Sequence, residues 1–420
     1  KATDKEITIS AAGGIQLLNK LEDLNIRDLT IANATKILKL DLSGSSRMSR
    51  LILGNNKYLR ELNCSGSVQL GTANGGQVLD LTGCKNIQKL DITNTKIVTV
   101  NFAEGSNLQT AILSKSSIKN LYFKSLEFLT EVNIDGCNSI TEYIIDSCSA
   151  IKNVSLSGSP VVIFNAINCK NLQSVDVSNC KVLETFELTN CPNIYQLLMS
   201  NNNGSMMNDL HLYTLYKLKK LDVSNSTSLK NIRLPKYISQ DEANRVAALK
   251  ANNPNLTDEE CNAQLWNVLE TLNIRSSSII SIQYGSAEIA ESDRKCDMKQ
   301  LSKLSSISFQ NCTSIKAIEN INYVTSNMDA LFDGCNSLQR VTGYLKCTSL
   351  ARYLFRYCYV LTDINNLTFD FAGVTDISYL FYVNGGNGGT PTYAMARKVL
   401  YACDESLKNI NDLMWGCKTE

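Results

Sequence analysis

The chain has 420 residues, and its 41 lysines and arginines nearly balance its 40 aspartates and glutamates, giving a formal net charge of +1. This balance excludes a long-range field that would attract nucleic acid or anionic lipid. The single histidine, His211, argues against imidazole-based acid-base or metal chemistry. No apolar run reaches the roughly 18 residues that a membrane-spanning helix needs, so we expect no membrane insertion.

Residues 1–36 precede the regular part of the chain. Their segment ISAAGGIQLLNKLEDLNIRDLTI has apolar residues spaced for a strand and for a helix, and we interpret 1–36 as an N-terminal adapter or cap. The first residues include neither an initiator methionine nor the apolar core of a signal peptide, which predicts a fragment or a mature product.

Residues 37–235 repeat one short frame, L-x-x-L-x-L-x-x-C, as in LTEVNIDGC, ITEYIIDSC, LQSVDVSNC and LETFELTNC. The last two apolar positions alternate with polar ones, which predicts a short strand with one buried face, and the residues that follow are typical of turns. Two such units, about 22 residues, place one strand on each side of a flattened coil, and stacked coils form a solenoid. The central apolar positions are Leu40, Leu51, Leu62, Leu79, Leu90, Val100, Ala111, Leu121, Val132, Tyr143, Val154, Val175, Phe186, Leu197, Leu221 and Ile232.

The register of this frame makes a specific prediction about neighbouring strands. Units that are eleven residues apart should lie on opposite sides of the coil, so alternate units should stack in one column. We therefore expect Val132, Val154 and Val175 in one column and Tyr143 and Phe186 in the opposite one.

Cysteine closes several of these units, and the predicted ladder residues are Cys137, Cys148, Cys169, Cys180 and Cys191. A small side chain that points inward after the strand can hydrogen-bond backbone groups of the turn. Coils about 4.8 Å apart would permit disulfides, but a buried column of thiols needs no oxidation. We predict reduced, buried thiols and no zinc site, since the chain has no C-x-x-C pair.

Residues 236–268 are predicted to interrupt the repeats with two short helices. Ser239 precedes DEANRVAALKANN and Thr257 precedes DEECNAQLW, so each helix has a capping residue and an acidic first turn. Two interpretations stay open: a junction between two repeat types, which we favour, or a bracket for a partner.

Residues 269–420 are predicted to form a second repeat array that is truncated at its C-terminus. MDALFDGCNSL, ARYLFRYCYVL, ISYLFYV and NDLMWGC share an apolar residue followed by x-x-L-F-x-x-C or a close variant, at intervals of 23 to 34 residues. Tyrosine and arginine are frequent anchors of binding surfaces, although tyrosine beside Leu-Phe also fills cores. The candidate binding residues are Arg352, Tyr353, Arg356, Tyr357, Tyr359, Tyr379, Tyr382 and Tyr393.

Catalytic and cofactor motifs are missing from the sequence, which contains no G-x-S-x-G elbow, phosphate loop, H-E-x-x-H or dinucleotide fingerprint. We predict no catalytic, cofactor-binding or metal-binding residues. The aspartates of the repeated LDL, LDI, VDV and LDV triplets are expected to face outward from strands and not to bind calcium.

The repeat frame resembles the leucine-rich repeat family, in a bacterial variety whose two halves both carry the leucine-rich frame. The later array resembles the BspA-like type, with M-x-x-M-F-x-x-C-x-x-L. The run from LILGNNKYLRELNCSGS to SIKNLYFK is similar to leucine-rich repeat regions of tail-associated virion proteins in phages of gut bacteria. The resemblance implies a mainly β leucine-rich-repeat solenoid with short strands on both sides of each coil, and the capping residues within 236–268 predict that two short helices interrupt it.

We predict a non-catalytic binding or scaffolding module of a phage tail or host-recognition virion protein. The alternatives are a bacterial cell-surface adhesin and the binding region of an enzyme whose catalytic domain lies outside these residues. The predicted partners are virion or cell-surface proteins, or a host surface glycan or protein, with homo-oligomerisation left open. We expect recognition in the second array, because the regular coils present mainly short Ser, Thr and Asn side chains.

Overall fold

The computed structural model describes residues 7–8, 17–18, 25–31, 33–34, 36–204, 207–235, 239–255, 269–284, 290, 294–301, 304–382 and 393–414. The chain divides into two compact units, Lys1–Ile194 and Tyr195–Glu420. The predicted mainly β solenoid, with short strands on both sides of each coil, is confirmed.

The first unit consists of short parallel strands that follow one another along the chain. They are β1 Ile7–Thr8, β2 Leu17–Leu18, β3 Asp28–Ile31, β4 Lys39–Asp41, β5 Arg50–Leu53, β6 Glu61–Asn63, β7 Val78–Leu81, β8 Lys89–Asp91, β9 Thr99–Phe102, β10 Thr110–Ile112, β11 Asn120–Lys124, β12 Glu131–Asn133, β13 Glu142–Asp146, β14 Asn153–Ser155, β15 Ile163–Ile167, β16 Ser174–Asp176 and β17 Thr185–Thr189. Even-numbered strands pair with even-numbered strands, and odd-numbered with odd-numbered, so each coil contributes one strand to each side. Pairing is absent between β5 and β7 and between β12 and β14, all of whose residues the structure describes.

The strand register matches the predicted separation of the two sides. Tyr143 pairs with Phe164, and Phe164 pairs with Phe186, within the odd-numbered sheet. Val154 pairs with Val175 on the even-numbered side. Val132 also lies on the even-numbered side and not beside Tyr143, but it pairs with Ala111 and has no pairing with Val154, although both segments are described. The predicted column of three valines is therefore interrupted after Val132.

The core of each coil is built from the inward residues of its strands. The central apolar positions predicted from the sequence are buried, except Val132 and Phe186, which are half-buried. An aromatic column that includes Tyr143 and Phe164 runs through the odd-numbered side, with ring centroids 6.0 Å apart at that step. Close packing of such columns fixes the spacing between coils.

The second unit continues the parallel pattern with longer strands in its C-terminal part. Its strands are β18 Gln196–Leu198, β19 Asp209–His211, β20 Lys220–Asp222, β21 Asn231–Leu234, β22 Thr271–Asn273, β23 Ser281–Tyr284, β24 Cys296–Asp297, β25 Ser306–Ser308, β26 Ala317–Asn327, β27 Arg340–Leu350 and β28 Leu367–Asp370. One sheet has the order β18-β20-β22-β25, and the other has the order β19-β21-β23-β24-β26-β27-β28. The two sheets flank the core of this unit.

Two helices are described in the second unit. Helix α1 spans Ser239–Asn252, where the sequence predicts the first helix of the interruption. The helix predicted after Thr257 lies outside the described residues. Helix α2, Tyr393–Leu400, was not predicted, and it buries Met395, Ala396 and Val399 on one face. Within the described part of the chain, neither helix is long and apolar enough to cross a bilayer.

Candidate functional site

The tyrosines and arginines of the C-terminal array lie in two turn segments, residues 351–359 and 377–382. Between the tyrosines, the Leu-Phe pairs of the repeat point into the core. The phenylalanines stack in successive coils, with centroid distances of 5.1 Å between Phe332 and Phe355 and 5.6 Å between Phe355 and Phe381. This buried column fixes the turns, and the neighbouring tyrosines are only half-buried.

Three of these tyrosines have a left-handed backbone conformation, with φ of 59° at Tyr353, 60° at Tyr357 and 56° at Tyr379. This conformation costs an L-residue with a side chain about 1–2 kcal/mol, and glycine and asparagine adopt it most easily. Most left-handed positions of the regular coils are accordingly Asn or Gly, for example Asn179 and Gly158. Bulky tyrosine at three such positions is therefore unfavourable for the backbone.

The tyrosine rings contact one another across adjacent coils. Tyr353 stacks on Tyr379 with centroids 5.3 Å apart and an interplanar angle of 18°. Tyr382 makes edge contacts with Tyr379 at 5.4 Å and with Tyr357 at 6.0 Å, and Tyr357 contacts Tyr359 at 6.2 Å. These contacts join the five rings into one continuous aromatic surface.

Arg352 and Arg356 are held against this surface by two aspartates of the preceding coil. Arg356 donates from Nε and Nη2 to the two carboxylate oxygens of Asp333 at 2.8 and 2.7 Å, and Arg352 contacts Asp329 from Nε at 3.0 Å. Hydrogen bonds to these carboxylates raise the pKa of both guanidinium groups. The Arg356 guanidinium also lies 4.4 Å from the centre of the Tyr353 ring, within the range of a cation-π contact.

We refer to these two arginines and five tyrosines together as the tyrosine patch: Arg352, Tyr353, Arg356, Tyr357, Tyr359, Tyr379 and Tyr382. Its charges are balanced by ion pairs, and a hydrogen bond to Asp412 raises the pKa of the Tyr379 hydroxyl. Tyr393, the remaining candidate, begins helix α2 and is 57% exposed, and the described structure gives it no ring contact with the patch. The patch offers rigid aromatic area with hydrogen-bonding groups and little net charge, which suits binding and not bond-breaking chemistry.

The repeated aspartates have a structural role that sequence reasoning did not identify. Asp41, Asp80, Asp91, Asp176 and Asp222 each accept a hydrogen bond from the backbone N–H two residues later, at 2.9 to 3.0 Å. This Asx-type bond closes the turn after the strand. The signal was present in the sequence, since each aspartate stands two residues before a serine or threonine of the turn.

His211 ends strand β19 and is exposed, with its ring 5.9 Å from that of Tyr213. No group of three or more His, Cys, Asp or Glu residues that could hold a metal ion occurs among the residues that the structure describes.

The ladder cysteines lie in the core, and each thiol donates to a backbone carbonyl of the preceding coil. Cys137 bonds the carbonyl of Leu113 at 3.0 Å and Cys180 that of Leu156 at 3.1 Å, while the contacts of Cys148, Cys169 and Cys191 are longer, at 3.4 to 3.8 Å. Burial raises the pKa of the Cys148 thiol to about 12. Such thiols are poor nucleophiles.

We expect all five ladder cysteines to be reduced in the purified protein, because each inward position needs the small donor side chain and no bridge. Thiol titration under denaturing, non-reducing conditions, followed by peptide mapping of the alkylated residues, measures this. Fewer than five labelled sites in this set would show disulfides and contradict the ladder role.

A family model matches the repeats of this chain. A family model described as the BspA type leucine rich repeat region, with six copies, matches residues 117–233 and 268–381, which is more than half of the chain. The match includes regular coils, whereas the sequence resemblance assigned the BspA-like type only to the later array. No curated protein matches the sequence.

Several solved structures are similar over most of their length. A leucine-rich repeat protein from Bacteroides ovatus ATCC 8483 shares 11% identity, with 96% of this chain and 91% of that chain covered and a TM-score of 0.36. A leucine-rich repeat protein from Eubacterium ventriosum ATCC 27560 shares 13% identity, with 90% and 84% covered and a TM-score of 0.31. A leucine rich cell surface protein from Faecalibacterium prausnitzii A2-165 shares 14% identity, with 87% of each chain covered and a TM-score of 0.18.

Proposed function

Because the chain belongs to the BspA-type leucine-rich repeat family, we propose that it is a non-catalytic binding module whose recognition surface is the tyrosine patch. Family membership and fold do not by themselves select a binding surface. The left-handed tyrosines distinguish the tyrosine patch from the rest of the surface. Backbone strain of this kind persists where the side chain has a use that glycine or asparagine cannot supply.

The chemistry of the patch favours a protein partner. Tyrosine and arginine dominate the energetics of protein interfaces, because they give large contact areas at low entropic cost. Asp329 and Asp333 neutralise the two arginines, so an anionic ligand would find no unpaired guanidinium here. The Tyr353 ring is already stacked on Tyr379 and covered by Arg356, which leaves less open ring face for a sugar.

We place this module at a bacterial cell surface, as the BspA-like resemblance implies, where it would act as an adhesin. The prediction of a phage tail or host-recognition virion protein rests on the sequence resemblance of about 100 residues alone. Either setting requires an accessible recognition surface. Localisation by immunogold labelling of cells and of purified virions from the source organism separates the two.

Replacing Tyr353 and Tyr379 together by asparagine should strongly weaken partner binding while leaving the fold intact. Asparagine is the residue that the regular coils use in this backbone conformation, so relief of strain offsets part of the lost stacking. We expect affinity to fall at least about thirtyfold, since a tyrosine anchor is typically worth about 2 kcal/mol or more. The change in the free energy of unfolding should stay within about 1 kcal/mol.

The measurement is binding of the full chain to bacterial cells, to cell-surface protein extracts and to arrays of neutral and anionic glycans. The matched control is Tyr401→Asn, because Tyr401 is 84% exposed and lies outside the patch. Binding only to glycans would show that the partner of the patch is a carbohydrate and not a protein. Unchanged binding by the double variant would remove the patch as the recognition surface.

A further inference from the structure

The even-numbered ladder of the first unit is interrupted between β12 and β14. Strand β12 pairs with β10 over three residues, and β14 pairs with β16 over three residues. No pairing joins β12 to β14, although every residue from 131 to 160 is described. On the opposite side of the same coils, β13 pairs with β15 over five residues, so the coils are open on one side only.

Backbone donors at this interruption have lost their usual acceptors. At the preceding boundary, the N–H of Leu113 donates to the carbonyl of Asn133 at 2.8 Å. The equivalent N–H of Ile134 donates to no acceptor in the described structure, and neither does that of Gly136 in the following turn. Ile134 is only 7% exposed, and a buried backbone N–H without a partner is costly.

The side-chain ladder is interrupted at the same boundary. Cys180 donates to the carbonyl of Leu156 in the preceding coil at 3.1 Å. Ser159 occupies this ladder position one coil earlier, and it makes no hydrogen bond to the coil that precedes it, all of which the structure describes. The hydroxyl contacts only the thiol of Cys180 in the following coil, at 3.7 Å.

A cleft and incomplete burial accompany the missing bonds. Residues 134–138 and 155–159 line a cleft of about 90 Å³ between the two turns. Val132, the central residue of β12, is half-buried, whereas the equivalent residues Ala111 and Val175 are 0% exposed. The boundary therefore lacks backbone partners, and the Val132 side chain is only partly covered.

We propose that this open boundary accepts an extended segment of a partner protein, which adds a strand parallel to β12 and β14. An extended strand supplies both the carbonyls that Ile134 and Gly136 lack and donors for the facing carbonyls, as in other cases of strand addition. One inward apolar residue of the segment covers Val132. Asp135 is the charged residue of the cleft lining, so a Lys or Arg at the C-terminal end of the segment complements it.

The probe is a synthetic peptide of residues 108–116, LQTAILSKS, which is the coil that contains β10 and ends in a lysine-containing turn. In the intact chain the same sequence, as β10, pairs in parallel with the opposite edge of β12, so it can form a strand beside β12. We expect hydrogen exchange of the full chain to slow at least tenfold in residues 130–137 and 152–158 at saturating peptide. Exchange in the intact β13–β15 ladder should not change.

The matched control peptide carries Leu113→Pro, which removes the N–H that crosses the intact boundary. A protein variant, Ser155→Pro, removes an N–H from the open edge of β14, where proline is tolerated. Both should eliminate the protection, while circular dichroism shows an unchanged fold. Absence of protection by the original peptide, or equal protection by the proline peptide, would overturn strand addition and leave a water-filled cleft.

Discussion

Above pH 9 we expect the free energy of unfolding to fall steeply, because buried thiols stay protonated in the folded chain and ionise when it unfolds. Burial raises the pKa of Cys84 and Cys312 from 9.0 to about 11 and that of Cys148 to about 12. The unfolded chain therefore binds fewer protons than the folded chain above pH 9, and stability decreases as pH rises. The contribution is complete below pH 9 and is lost towards pH 11 to 12.

The size of this effect follows from the number of thiols involved. Each one costs about 1.4 kcal/mol per pH unit in this window, so these three alone cost about 4 kcal/mol per unit. Burial also raises the pKa of other thiols, which adds to the slope: Cys64, Cys296, Cys335, Cys358 and Cys403. Urea unfolding of the full chain, measured at intervals between pH 7.5 and 10.5, would test it. A flat profile would show that the thiols are not buried as described.

Cys312→Ser is the matched control for the pH profile. Cys312 donates to the carbonyl of Ile274 at 2.9 Å, and serine already makes the equivalent bond at Ser226, which donates to Met199 at 2.8 Å. The variant should keep the hydrogen bond and reduce the alkaline slope by about one proton, or about 1.4 kcal/mol per pH unit. An unchanged slope would assign the loss to other groups.

Phe332→Ala should lower the free energy of unfolding by about 3–5 kcal/mol, the usual cost of emptying a buried aromatic site. Phe332 is fully buried between Phe309 at 5.5 Å and Phe355 at 5.1 Å, so the cavity lies inside a stacked column that cannot easily collapse. Equilibrium urea unfolding monitored by far-UV circular dichroism measures the change.

Two further variants serve as controls for the stability loss expected of Phe332→Ala. Phe332→Leu retains most of the volume and should cost about 1.5 kcal/mol or less. Tyr401→Ala removes an exposed ring and should stay within about 0.5 kcal/mol. If Phe332→Ala cost no more than Phe332→Leu, the column would not be the tightly packed core of the array.

The repeat frame was sufficient to predict the solenoid, because the sequence of each unit by itself indicates its strand, its inward residues and its turn. Val154 and Val175 pair as the eleven-residue spacing requires, and the opposite column contains Tyr143 and Phe186. The interruption after Val132 could not be predicted, because VNIDGC and VSLSGS share the apolar positions of the frame, and serine in place of the cysteine also occurs where the ladder bond is intact, as at Ser226. Pairing between coils depends on contacts that are about 22 residues apart and leave no local signal.

The tyrosine patch was only partly predictable. The clustering of Tyr and Arg was visible in the sequence, but the left-handed conformation of Tyr353 and Tyr379 was not, since tyrosine gives no signal for it. Ion pairing of Arg356 with Asp333 joins residues of different coils and also needed the structure. Helix α2 was not predicted, because its first turn has no acidic residue that would mark a helix start.

The interruption between β12 and β14 also has a consequence for how unfolding spreads. In a solenoid each coil is coupled mainly to its nearest neighbours, and the coupling at a boundary depends on the ladders that cross it. Most boundaries of the first unit have hydrogen-bonded strands on both sides, whereas this one has only the β13–β15 side, and the boundary between β5 and β7 likewise lacks pairing on the odd-numbered side. Cooperativity should therefore be weak at both boundaries, and a thermal fluctuation that frays the coils on one side of the β12–β14 boundary would tend to stop there before reaching the other.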